Sequence, residues 1–176
     1  ENSAEEVLSE IGVKFPDNEF ALSLWKDAGA DIKGDLVKIP KGLARNLCST
    51  APTTFTQHAR SKIKSVEIGG KNLVCAPVYG PPFIRDLEGG RRYAEIADFE
   101  KLVKLAYMSK WVHHSGGTLC EPTDIPVNKR HLDMLFAHMT LSDKPYMGSV
   151  TAPERAEDSV ETVSYTHLRA HETTNY

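Results

Sequence analysis

Along the 176 residues, apolar side chains recur first at helical spacing, then at every second position, then at helical spacing again. Val7, Leu8 and Ile11 share one helix face behind Ser3-Ala4-Glu5-Glu6. There the serine hydroxyl and the glutamate three residues on predict a capping box, and Gly12 suits a left-handed stop. Phe20, Ala21, Leu24, Trp25 and Ala28 form a second stripe, which follows Asp17 and ends before Gly29. Ile32 to Val37 reads as a hairpin turning at Gly34-Asp35, and Pro40 can open a short helix carrying Leu43 and Leu47. Residues 1–52 are therefore expected to be a helical cap with a short β-ribbon.

From Thr53 to Ala94 the period drops to two. Residues 55–59, 66–68, 73–76 and 83–87 are strand candidates, with Gly69-Gly70 and Gly89-Gly90 as turns between them, so residues 53–94 predict a β-meander. Beyond it, Phe99, Leu102, Val103 and Ala106 repeat at i, i+3, i+4 and i+7, one buried helix face. Residues 111–115 follow as a strand ending in Gly116-Gly117. A helix over 128–141 is expected to bury Leu132, Leu135, Phe136 and Met139. Residues 145–150 make a second strand, and Pro153 opens a third helix with Ala156, Val160 and Val163 on one side. Strands alternating with helices imply βαβ units and a parallel sheet with right-handed crossovers, an α/β fold whose first units lie in 95–163.

Two or three such units leave an uncovered edge and apolar face, and closing a barrel takes eight units and about 250 residues. The chain is thus expected to be the amino-terminal part of a larger α/β enzyme. Residues 164–176 carry one aliphatic side chain larger than alanine and no continuing period. They read either as a solvated, disordered tail or as non-native sequence similar to translated adapter or vector read-through, and are left out of fold reasoning.

Composition narrows the function classes. A net charge of −3 provides no basic footprint for nucleic acid. No apolar run approaches the ~20 residues that span a bilayer. Cys48, Cys75 and Cys120 are odd in number and far apart, which argues against a disulfide framework and for a cytoplasmic protein.

Three stretches together resemble the trimethylamine methyltransferase family, the corrinoid-dependent amine methyltransferases. The first is Glu10-Ile11-Gly12-Val13 with Ala28-Gly29-Ala30 and Val37-Lys38-Ile39-Pro40. The second runs Ala76-Pro77-Val78-Tyr79-Gly80-Pro81-Pro82-Phe83-Ile84-Arg85-Asp86-Leu87-Glu88-Gly89-Gly90. The third is Glu121-Pro122-Thr123-Asp124-Ile125-Pro126, followed by Ser142-Asp143-Lys144-Pro145 and Gly148-Ser149. The likeness covers about residues 1–163. It implies the amino-terminal part of a TIM-type (β/α)8 barrel, incomplete here. It also implies transfer of a methyl group from a methylated amine, trimethylamine or a quaternary amine such as glycine betaine, to a corrinoid carried by a separate partner protein. One branch of the family uses pyrrolysine, whose position would lie well beyond residue 176.

In barrel enzymes the site sits in the loops after the strands, here 116–126 and 148–153. Glu121, Thr123 and Asp124 supply acceptors in the first loop, and a carboxylate would attract a methylammonium; the plain alternative for Asp124 is to pin a turn. Ser149 lies in the second loop. Aromatic faces hold quaternary amines by cation–π attraction, and Tyr79, Phe83, Trp111 and Tyr146 are candidates. Tyr79, next to Gly80 in a glycine- and proline-bounded segment, is the one expected to touch substrate or corrinoid. Phe83 and Tyr146 read as core, and Trp111 as packing at the barrel bottom.

The candidate substrate-binding set is therefore Tyr79, Gly80, Glu121, Thr123, Asp124 and Ser149, with catalytic residues expected beyond residue 176. No protein-bound metal is expected. His113 and His114 would point to opposite faces of a strand, His131 and His138 stand two turns apart, and His167 and His171 lie in the suspect tail. Gly89-Gly90-Arg91-Arg92 reads as a hairpin turn with solvated arginines rather than a phosphate nest. Expected partners are a small methylated amine and a cognate corrinoid protein, neither nucleic acid nor membrane, with a homo-oligomer open. Two other readings stand beside this one: a different α/β-barrel enzyme acting on a phosphorylated metabolite, and a non-catalytic fragment that binds a partner through exposed apolar surface.

Overall fold

A computed structural model describes residues 1–172 of the chain, with side chains through Ser164. They divide into two compact units, the boundary falling between Thr53 and Thr54.

The first unit holds α1 (Asn2–Glu10), β1 (Val13–Lys14), α2 (Glu19–Asp27), β2 (Asp31–Lys33), β3 (Leu36–Lys38) and α3 (Leu43–Cys48). The strands form an antiparallel sheet in the order β1-β3-β2. Val37, fully buried, sits at its centre, opposite Val13 on one side and Ile32 on the other. Gly12 enters the sheet at φ +85°, and a Cβ there would stand 2.5 Å from the Val37 carbonyl oxygen, so only glycine fits. The capping box expected at Ser3 does not form. α1 starts at Asn2 without a side-chain cap, because the acidic side chains that could serve it face cations instead. Glu1 and Glu5 take Arg45 at 2.6 and 3.4 Å, and Glu6 lies 4.0 Å from Lys41. α2 is capped by Asn18, whose Oδ1 accepts the Ala21 amide at 2.9 Å.

The second unit contains β4 (Thr54–Gln57), β5 (Val66–Gly69), β6 (Phe83–Asp86), β7 (Gly90–Tyr93), α4 (Ile96–Met108), α5 (Arg130–Leu141) and α6 (Pro153–Glu172). The expected meander is instead two separate antiparallel hairpins, β4–β5 and β6–β7. Residues 73–76 do not become a strand. The Cys75 carbonyl accepts the amides of His113 and His114 at 2.9 and 3.2 Å, and Pro77, Pro81 and Pro82 remove the donors a longer ladder would need.

Residues 111–115 and 145–150 are not strands, and no parallel sheet is present among the described residues. Only two backbone bonds join them, Ser115 N–H to Pro145 O and Met147 N–H to Gly116 O, both 2.8 Å. Each segment donates one bond and both advance together along the chain, as in a parallel pair, but a ladder would return the Met147 amide to Ser115 rather than Gly116, so none propagates. The fold is thus mixed α/β with small sheets and six helices, and no closed barrel exists among the described residues. α6 runs past Val163 to Glu172, since neither glycine nor proline interrupts that stretch. Residues 173–176 of the expected tail lie outside the described residues, and the side chains of His167 and His171 lie outside the described side chains.

The core joins Phe99 and Val103 of α4 with Met134 and Ala137 of α5, closed by Ala94, Leu119 and Cys120. The buried face of α4 is the one the spacing predicts. That of α5 is shifted by one residue: His131, Met134, Leu135 and His138 are inside, Leu132 is at the surface and Phe136 is 64% exposed. Two histidines with hydrogen-bond partners take the inner positions that apolar spacing alone assigns to Leu132 and Met139. Trp111, expected inside, is 72% exposed with the Lys110 ammonium 5.0 Å from its ring centre.

Asp98 begins α4. Its carboxylate accepts the Glu95 amide at 3.0 Å and both arms of the Arg92 guanidinium at 2.6 and 2.8 Å, which holds its pKa below the ordinary carboxylate value. At the other end of α4, Lys144 is buried, and its three ammonium protons go to the carbonyls of Ala106, Ser109 and Val112 at 2.7, 2.7 and 2.6 Å. A cation there meets the negative end of the helix dipole and satisfies carbonyls that have no helical partner. Lys144→Met should therefore strand three carbonyls and lower stability by about 2–3 kcal/mol, read as a lower urea midpoint by circular dichroism.

Candidate functional site

The two segments come close at Gly117, where an added Cβ would lie 3.3 Å from the Met147 carbonyl oxygen. The Tyr79 ring lies on Gly117, where an added Cβ would come within 2.7 Å of ring carbon Cε1. Its hydroxyl reaches the Met147 sulfur at 3.7 Å, and 44% of the residue remains exposed. Burial of the rest raises the phenol's pKa. Gly80 anchors the segment by donating its amide to the Thr118 carbonyl at 2.7 Å, and the Glu121 amide returns to the Pro81 carbonyl at 3.0 Å. Tyr79, Gly80 and Glu121 are thereby brought onto one pair of adjoining loops.

The remaining acceptors hold loop geometry. Glu121 pairs with Arg130 at 2.8 Å, and Arg130 also donates to the Ile125 carbonyl at 3.2 Å. Thr123 gives its amide and its hydroxyl to the Ala94 carbonyl at 2.8 and 3.1 Å. Asp124 accepts the Ile96 amide at 2.9 Å, fastening the loop to the first turn of α4. Ser149 is half-buried, two residues beyond Met147. Phe83 faces Tyr93 at 4.5 Å, and Tyr146 stacks on His138 at 5.4 Å with an interplanar angle of 2°.

Beneath Gly117 lies a buried polar network that apolar spacing does not reveal. His138 Nε2 bonds the Gly117 carbonyl at 2.8 Å, so it carries the proton, and Nδ1 accepts the Ser115 hydroxyl at 2.9 Å. His114 Nδ1 accepts the Gly116 amide at 2.9 Å, while Nε2 donates to Gln57 Oε1 at 3.1 Å. Gln57 in turn donates to the Tyr146 carbonyl at 3.0 Å. The signal available in the sequence was a histidine on each edge of the α5 stripe, His131 and His138. His131 bonds Asp158 of α6 at 2.9 Å. Beside this network, and sharing Tyr146 with it, a groove of about 1080 Å³ lined by Leu135, Phe136, Met139, Tyr146, Val160 and Val163 contains none of the six candidate residues.

Among the described residues no group of histidine, cysteine and carboxylate side chains is arranged to hold a metal ion, and no helix is long and apolar enough to cross a membrane. The sequence pattern of the trimethylamine methyltransferase family matches residues 1–173. The chain belongs to this family. Among its relatives, the glycine betaine methyltransferase of Desulfitobacterium hafniense (strain Y51) is 45% identical over 155 residues, 88% of this chain and 32% of the relative. The proline betaine:corrinoid methyltransferase of Eubacterium limosum is 31% identical over 150 residues, 82% of this chain and 30% of the relative. The chain spans about a third of the length of these curated relatives. The family match extends ten residues beyond Val163, where the resemblance read from the sequence stopped.

The network under the site makes stability depend on acid. Burial pushes the His138 imidazole from its ordinary 6.5 down to about 4, and burial lowers His114 as well. The unfolded chain takes up a proton below pH 6.5 that the folded chain refuses until about pH 4. Stability is therefore full above pH 6.5 and falls as pH drops through that window, by about 3 kcal/mol for His138 alone. Urea midpoints measured from pH 8 to pH 4 should show this slope, and His138→Gln, starting from a lower midpoint, should flatten it.

Proposed function

We propose that in the full-length protein this chain is the amino-terminal part of a (β/α)8-barrel enzyme that moves a methyl group from a quaternary amine to a corrinoid protein. The observation that carries this reading is the 45% identity, over 88% of the chain, to a glycine betaine methyltransferase. The second relative is named for another betaine and for a corrinoid acceptor. The partners are then a small methylated amine and a cognate corrinoid protein, and the setting is cytoplasmic. The corrinoid acts as a substrate brought by its own carrier.

In this reading Tyr79 offers the exposed part of its ring to the ammonium, which has no N–H to donate and is held by the ring's negative face. Gly80 and Ser149 line the approach. Glu121, Thr123 and Asp124 act through the loop they fasten, since their oxygens are engaged by Arg130, Ala94 and Ile96. The carbon–nitrogen bond breaks with its electron pair remaining on nitrogen, so the cation leaves as a neutral tertiary amine and the acceptor supplies the new bonding pair. Loss of positive charge weakens the cation–π attraction in the product, which favours release.

Full-length protein mixed with glycine betaine and a reduced corrinoid protein should yield dimethylglycine, followed by chromatography. No product from glycine betaine, proline betaine or trimethylamine would overturn the assignment. Tyr79→Leu should raise the KM for the amine about 2- to 30-fold, the range of one lost cation–π contact, while Tyr79→Phe keeps it near the parent value. Gly117→Ala should raise it too, by lifting the ring from its seat.

A further inference from the structure

The β6–β7 hairpin begins four residues after Tyr79 and carries different chemistry on its two faces. Side chains alternate along a strand, so Ile84, Asp86 and Arg92 share one face and Phe83, Arg85, Arg91 and Tyr93 the other. The first face is anchored: Ile84 packs on the core, and Arg92 binds Asp98 and Asp86. The second face is open. Phe83 and Tyr93 pair across the strands at 4.5 Å, the Arg91 guanidinium lies 3.9 Å above the Phe83 ring, and Tyr93 is 59% exposed.

Arg85 and Arg91 stand directly opposite each other in the register, both exposed. Like charges facing across a strand pair cost stability. Neither guanidinium has a carboxylate partner among the described residues. Asp86 is held by Arg92 and the amides of Glu88 and Gly89, and the remaining acid of the hairpin, Glu88, sits in the turn. Two unneutralised arginines on an aromatic platform are the composition of a protein-docking hot spot.

We propose that this outer face docks a carboxylate-rich surface of the protein that carries the methyl acceptor. The inference rests on the proposed function, because it takes the partner to be the corrinoid protein. Charge complementarity selects the partner's chemistry: the paired arginines call for carboxylates. The chain as a whole is acidic, net −3, which disfavours nucleic acid as the occupant. Position selects the partner: Ala94 N–H to Pro82 O and Glu121 N–H to Pro81 O tie the hairpin base to the Tyr79 loops. An acceptor docked there stands beside the amine it must reach.

The test uses the full-length protein and an Arg85→Glu/Arg91→Glu variant. Binding of the corrinoid protein is titrated calorimetrically, and methyl transfer is measured to that protein and to free reduced cobalamin. The expected result is at least a tenfold weaker Kd and higher KM for the corrinoid protein, with transfer to free cobalamin within twofold of the parent. Raising ionic strength should weaken partner binding by the parent much more than by the variant. An unchanged Kd overturns the proposal. So does an equal loss with free cobalamin, or a changed thermal midpoint or oligomeric state with Kd intact, which would mean that the same chain or a second copy covers the face. If the parent transfers no methyl to either acceptor, the function reading falls while the titration still decides docking; no binding by the parent overturns it.

Discussion

The imidazole of His138 is buried in the last turn of α5 and engages the neighbouring segment through both ring nitrogens, at Ser115 and Gly117. The segment it holds has little pairing with its neighbour, since two backbone bonds join residues 115–116 to 145–147. The imidazole supplies the missing rigidity, and it does so as a neutral donor–acceptor. Phe99 meets its ring edge-on at 5.3 Å and Tyr146 covers its face, so water does not compete for either nitrogen. Such a group is costly to bury unless both of its polar atoms are satisfied, and here both are.

From that constraint the candidate site follows outward. Gly117 is fixed by its carbonyl, and because it has no side chain the Tyr79 ring can lie on it. The Tyr79 segment is then stitched to Thr118 and Glu121, and the Glu121 loop is stitched to the start of α4 by Thr123 and Asp124. Arg92 and Asp98 secure the first turn of the same helix, and Lys144 its last carbonyls. Both ends of α4 are thus pinned by buried or half-buried charge, which keeps its apolar face, Phe99 and Val103, aligned with α5.

One surface is left with its energetic cost unrelieved: the outer face of β6–β7, where Arg85 opposes Arg91. The inner face of the same hairpin neutralises its arginine with two aspartates. The two faces of one small sheet therefore differ in charge balance, one neutralised and one not.

The sequence by itself determined the elements whose signals are local: α2 after Asp17, the β2–β3 turn at Gly34-Asp35, the buried face of α4, and the family, from the order of its short motifs. Glycine and proline around Tyr79 and Gly80 mark a segment that approaches another backbone closely, as it does at Gly117 and Thr118. What needed partners distant in the chain was not legible. Ser3 lost its capping role to glutamates drawn toward Lys41 and Arg45. The inner face of α5 moved by one residue because His131 and His138 find hydrogen bonds inside, which apolar periodicity counts as polar and therefore outward. Residues 111–115 and 145–150 have strand composition but not strand pairing, because a strand is a relation between two chains and each here has too little neighbour to form a ladder. Local propensity chooses the elements; which of their atoms are satisfied, and so which residues turn inward, is decided only by the packed structure.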